Sequence, residues 1–133
     1  MIQVYSPRQT FIATGLGGPL AGTFMLFQNE RSLSHNTAAI AIVVIGLLIS
    51  LVVIPVVAFY LPEDFPPMMI PMTYGAVAAG FAWYFQVSAE EEQISSSFSF
   101  RSNWSAAKCA ILGFLVWFPQ VIATLYFFEG AIR

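Results

Sequence analysis

Charge is what this chain of 133 residues has least of: only 9% of them are charged, where an ordinary soluble domain carries roughly a quarter. A water-facing surface cannot be built from that stock. The five basic residues, Arg8, Arg31, Arg101, Lys108 and Arg133, are scattered rather than clustered, which excludes the basic patch that neutralises nucleic-acid phosphates. Cys109 is the one cysteine, so no intrachain disulfide can form and no cysteine-based metal site can be assembled. His35 is the one histidine, which removes His-rich metal sites and most nucleophile–histidine triads. No metal or cofactor is expected.

Hydrocarbon is what the chain has instead. Apolar residues make up 58% of it and mean hydropathy is +0.75. They are gathered into four blocks separated by short polar segments, the arrangement a bilayer demands. The expected fold is an all-α membrane protein, a single bundle of four transmembrane helices over residues about 10–28, 37–61, 67–87 and 104–128. The expected surroundings are the lipid bilayer and other membrane proteins, through self-association or a larger complex.

The first segment opens at Ser6-Pro7-Arg8-Gln9, where Ser6 can cap, Pro7 suits the first helical position and Gln9 can reach back. Arg8 before an apolar run with small residues also fits a secretory leader; the segment is read as retained. Gly15, Gly17, Gly18, Pro19 and Gly22 would weaken this helix in water, but neighbouring helices can satisfy freed backbone groups in lipid. A closely packed spanning helix is the expectation, and a re-entrant or interfacial half-helix is the alternative.

The second segment carries no charge from Ile40 to Phe59 and meets any hydropathy criterion for a span. Asn36 suits its cap, and Pro55 predicts a kink because it removes a backbone donor. Leu61 to Pro67 reads as a stiff acidic turn holding Glu63 and Asp64. The third segment ends near Trp83 and Tyr84, as an aromatic belt would place them. Val87, Ile94 and Phe98 then recur at helical spacing, so an amphipathic turn or a plain solvated loop follows, with Glu90-Glu91-Glu92 as a solubilising surface.

In the fourth segment Trp104 and Lys108 read as interfacial anchors, and Pro119 predicts a second kink. Ala106, Ala110, Gly113, Trp117, Gln120 and Thr124 follow helical spacing and should face protein. Cys109 reads as a small packing residue. Gln120 and Thr124 are candidates for an interhelical hydrogen bond or a polar pathway.

Small residues supply the expected packing faces: Gly18 and Gly22, Gly46 with Ser50, Gly75, Gly80 and Gly113. Laying segment one over segment three at an offset of 58 residues pairs Gly17 with Gly75 and Gly22 with Gly80. Segments two and four match at 67, pairing Asn36 with Asn103 and Gly46 with Gly113. A duplicated helical hairpin would explain both offsets; independent demand for small residues would too.

Tyr5-Ser6-Pro7-Arg8-Gln9, the run Gly17 to Gly22 followed by Gln28-Asn29, and Ser102-Asn103-Trp104 resemble a family of small four-helix bacterial inner-membrane proteins to which no activity is assigned. The resemblance implies an inner-membrane location. It departs at Ser97 to Arg101, where a stretch rich in glycine and lysine would be expected. With four crossings, Arg31, Arg101 and Lys108 lie on one side against Arg8 and Arg133 on the other, which places both termini in the periplasm.

The spans hold almost no ionisable residue, so an enzyme is not expected. The expected function is a non-catalytic membrane protein working by packing, as an accessory or structural subunit or a homo-oligomer. A small-solute transporter or channel formed by an oligomer is the alternative.

Overall fold

The computed structural model describes residues 2–87 and 98–132. Apart from two three-residue strands, its regular structure is helical. The helices are α1 (Pro7–Ser32), α2 (Asn36–Leu48), α3 (Ile54–Tyr60), α4 (Met69–Phe81) and α5 (Asn103–Ile132). A π-helical stretch, Ile49–Val53, joins α2 to α3 in one rod, and a second, Ala82–Val87, extends α4. Strand β1 (Ile2–Val4) pairs in parallel with β2 (Phe98–Phe100), Gln3 lying opposite Ser99. The surface turn expected around Ile94 and the acidic triplet before it lie outside the described residues.

By length and composition three helices could cross a bilayer: Pro7–Ser32, Asn36–Val57 and Asn103–Phe127. The first of these does not run straight. Gly18 has φ 78° and ψ 178°, a backbone conformation open essentially to glycine alone, and Pro19 restarts the helix with its φ already set. The two halves fold back on one another. Tyr5 N–H donates to Asn29 Oδ1 at 2.6 Å, although 24 residues of unbroken helix would separate them by ~36 Å. Likewise a Cβ at Gly22 would fall 2.5 Å from Thr14 Oγ1. Residues 7–32 therefore form a helical hairpin turned at Gly18 and not the straight helix expected of a single span.

Two expectations change with it. The rod α2–α3 leaves the end of the bundle where the hairpin opens, α4 returns, and α5 leaves again. Tyr5 Oη lies 2.8 Å from Ser105 Oγ at the start of α5, while Ile132 lies ~40 Å further along that helix. The N-terminus and the end of α5 consequently sit at opposite ends, not at one. The proposed duplication also loses its footing, since Ala76, the counterpart of Gly18 at the offset of 58, lies inside unbroken α4.

The hairpin is the hub. Its apolar window is 56% buried, against 22% for the α2–α3 rod and 11% for α5, and α2, α4 and α5 each pack principally on it. Small residues make that possible. A Cβ at Gly17 would strike Ala110 O, one at Gly46 would strike Thr23, one at Gly113 would lie 2.6 Å from Ala21 Cβ, and one at Gly75 would lie 3.1 Å from Phe11 O. Gly80, expected on a packing face, meets nothing within 4 Å.

Local sequence explains the ends and the bends. Ser6 and Gln9 form the reciprocal capping box with Pro7 in the first turn. Asn36 is the first residue of α2 rather than its cap; His35 holds the cap position and makes no side-chain cap bond. The bend at Pro55 takes a specific form. Ile54 N–H bonds to Ile49 O, so the Ser50 carbonyl would next be served by residue 55, which as proline has no N–H. Gln120 Nε2 donates to that carbonyl instead, at 3.1 Å.

Gly18→Ala tests the break. The strained backbone costs about 1–3 kcal/mol, and the new Cβ would meet the Trp117 ring 2.5 Å away. Thermal unfolding in mild detergent should therefore show a large loss of stability. Gly80→Ala, entering open space, should show none.

Candidate functional site

Where the hairpin opens, its two ends, the last turn of α4 and the start of α5 converge on a buried polar cluster. Asn29 and Gln86 are fully buried, and Glu30 is 3% exposed. Polar groups so enclosed must bond to one another or cost free energy, and each does. Asn29 takes the Tyr5 N–H on Oδ1, and its Nδ2 donates to Tyr5 O at 3.1 Å and to Gln86 Oε1 at 2.8 Å. Gln86 Nε2 donates to Leu26 O at 3.0 Å and to Glu30 Oε1 at 2.8 Å. The other Glu30 oxygen, Oε2, lies 2.9 Å from His35 Nδ1.

Gln86 lies in the π-helical turn Ala82–Val87, four residues on from Ala82 and eleven from Gly75, so helical periodicity puts it on the face that those two bury. Trp83, Tyr84 and Phe85 are exposed while Gln86 and Val87 are fully buried.

A second layer ties this cluster to the strands. Gln9 Nε2 donates to Arg101 O at 2.7 Å and to Asn103 Oδ1 at 2.8 Å. Arg101 N–H donates to Val4 O at 2.8 Å, and its guanidinium lies 5.2 Å from the Tyr5 ring centroid while donating to Ser32 Oγ at 3.2 Å. Tyr5 is 1% exposed and its hydroxyl lies 3.4 Å from Cys109 Sγ. Burial raises the Tyr5 phenol above its ordinary pKa, and the Cys109 contact adds to that.

Among the described residues no three His, Cys, Asp or Glu side chains gather as metal ligands would. The cluster's chemistry is hydrogen bonding around one enclosed carboxylate.

The residues singled out from sequence lie elsewhere. Gly18, Gly22, Gly46 and Gly113 line contacts within the chain, at the hairpin and around it. Gln120 is tied to Ser50, whose hydroxyl is 3.5 Å from Gln120 Oε1, and Thr124 Oγ1 donates to Gln120 O at 2.8 Å. On α5 the stripe of Ala106, Ala110, Gly113, Trp117, Gln120 and Thr124 is buried or half-buried, while Ile111, Leu112, Leu115 and Val116 are exposed. Cys109 packs with Tyr5, Ala13, Met25 and Ala106, and Lys108 Nζ sits 5.9 Å from the Trp104 ring centroid. Two buried polar atoms at the hairpin, Thr14 Oγ1 and Trp117 Nε1, have no hydrogen-bond partner among the described residues.

Sequence reading passed over Asn29, Glu30 and Gln86. Their signal was position: a Gln-Asn-Glu run and an isolated Gln, each at the limit of an apolar block, where they read as boundary residues.

Compared with known proteins, the chain matches no family model, no curated protein and no solved structure.

Gln86→Leu should be costly, because it leaves Glu30 Oε1, Asn29 Nδ2 and Leu26 O buried without that partner; a loss of about 2–3 kcal/mol is expected. Gln28→Leu removes only the 3.3 Å bond from Tyr5 Oη and should cost under about 1 kcal/mol. Denaturant unfolding of the two variants side by side checks the ranking.

Proposed function

We infer that the chain is a multi-pass membrane protein of a bacterial inner membrane that works by packing, as an accessory or structural subunit, by itself or within a larger complex. The observation that carries this is how polar groups along the long helices are committed. Gln120 serves Ser50, Thr23 Oγ1 donates to Pro19 O, Thr73 Oγ1 to Met69 O and Thr124 Oγ1 to Gln120 O. These bonds are spent within the fold. The outward faces, by contrast, are hydrocarbon: Ile40, Val44 and Leu48 on α2, and Ile111, Leu115 and Phe118 on α5, are between 47% and 65% exposed. A patch of that extent belongs in lipid or against another protein.

The hairpin also bears on the orientation. Because α1 turns back, Arg8 joins Arg31, Arg101 and Lys108 at the end where the hairpin opens, leaving Arg133 beyond α5. Under the positive-inside rule that end is cytoplasmic. The N-terminus is then cytoplasmic and the C-terminus periplasmic, in place of the two periplasmic termini that four crossings would give. The location itself draws on the resemblance of the Ser6-to-Gln9 and Gly17-to-Gly22 segments noted above.

A second reading, transport by an oligomer, draws on the broken helix, since irregular backbone at membrane depth is found where it is enclosed by protein or lines a cavity. Gly17, Gly18 and Pro19 are all buried, which fits the enclosed case and favours the first reading.

Reporter fusions at each terminus test the topology: a cytoplasmic reporter should be active at the N-terminus and a periplasmic one at the C-terminus. Mild extraction tests the role. A discrete homo-oligomer or stoichiometric complex is expected, and Gln120→Leu should leave it intact while lowering stability by about 0.6 kcal/mol. A lone monomer, or solute flux in proteoliposomes that Gln120→Leu abolishes, would favour transport or another role.

A further inference from the structure

The hairpin stops at Gly18, while the α2–α3 rod and α4 run on beyond it. An apolar cleft of about 590 Å³ lies between them, flanked along part of its length by Pro19, Gly22, Thr23 and Leu26 of the hairpin. Its closed end is the packed cluster of Leu26, Ala78 and Ala82 with Ile42 and Phe81, and its other end is bordered by Leu61, Phe65 and Met69. Nineteen residues of helix separate Ile42 from Leu61, ~28 Å at 1.5 Å per residue. An elongated apolar cleft of that volume has room for a hydrocarbon chain. A slot of this shape, left empty, would forfeit dispersion contacts along both walls.

The loop at the mouth narrows the choice of occupant. It presents Glu63 and Asp64, both exposed, and the sequence from Ser32 to Phe100 contains no lysine or arginine. A purely anionic headgroup would meet repulsion from those two side chains, whereas a headgroup with an ammonium would find two carboxylates. We propose that the cleft binds one acyl chain of an aminophospholipid from the periplasmic leaflet, its ammonium set against Glu63 and Asp64. This rests on the membrane topology given above.

Native mass spectrometry of the full chain, extracted in mild detergent, tests the proposal. One phospholipid per chain should survive delipidation, with phosphatidylethanolamine retained in preference to phosphatidylglycerol when the two are offered in equal amounts. Val77→Trp, which fills the slot from α4, should weaken retention about tenfold. Thr73→Phe fills the same slot from the preceding turn and covers the case in which the first variant does not fold. The double variant Glu63→Gln, Asp64→Asn should keep the chain bound but lose the headgroup preference. A membrane-extracted protein without retained lipid, retention unchanged by both filling variants, or a preference for phosphatidylglycerol would overturn the proposal. Recovery of the chain from the soluble fraction would instead overturn the topology beneath it.

Discussion

One glycine decides the architecture. At Gly18 the backbone takes a conformation that a side chain would strain, and the helix that enters at Pro7 leaves again on the side from which it came. Because the two halves lie together, their small residues face inward and outward at once: Gly22 admits Thr14, Gly17 admits Ala110 and Gly18 admits the Trp117 ring. The three long helices then pack around this hairpin. A continuous α1 would separate Tyr5 from Asn29 by more than the ~30 Å thickness of a bilayer core, and the polar cluster could not form.

That cluster carries the energetic consequence. A carboxylate and two primary amides enclosed at the open end would be destabilising singly, yet each is saturated by the others, by main chain, or by His35. Such networks are stable only when complete, so they specify one arrangement of the hairpin ends, α4 and α5. The same logic appears midway along the bundle, where the carbonyl that Pro55 leaves unserved is taken by Gln120. In both places a π-helical stretch accompanies the polar contact, containing Gln86 in one case and freeing the Ser50 carbonyl in the other.

Much of this was legible in the sequence, and the remainder was not, for identifiable reasons. Apolar runs mark the helices because a bilayer-sized block of hydrocarbon has few other uses, and the Ser6–Gln9 capping box follows from two side chains at fixed spacing. The six-residue stripe on α5 was readable from its period. The fold-back was not decided by the residues, because a Gly-Gly-Pro run serves a tightly packed straight helix as well as a turn; only long-range contacts such as Tyr5 to Asn29 separate the two. The strand pair between residues 2–4 and 98–100 also escaped notice, since three residues on each side carry no period. Gln86 was passed over because it stands at the limit of an apolar block, where a lone polar residue reads as a boundary.

The distance between the two ends of α1 tests the account most directly. Arg8 and Arg31 are both exposed, so spin labels can be placed at these positions on a chain whose Cys109 has been replaced by serine, and their separation measured by pulsed electron resonance in proteoliposomes. The hairpin predicts a single short distance, with the labels near one another at one membrane surface. A distance near the ~35 Å that 23 residues of continuous helix impose would contradict it.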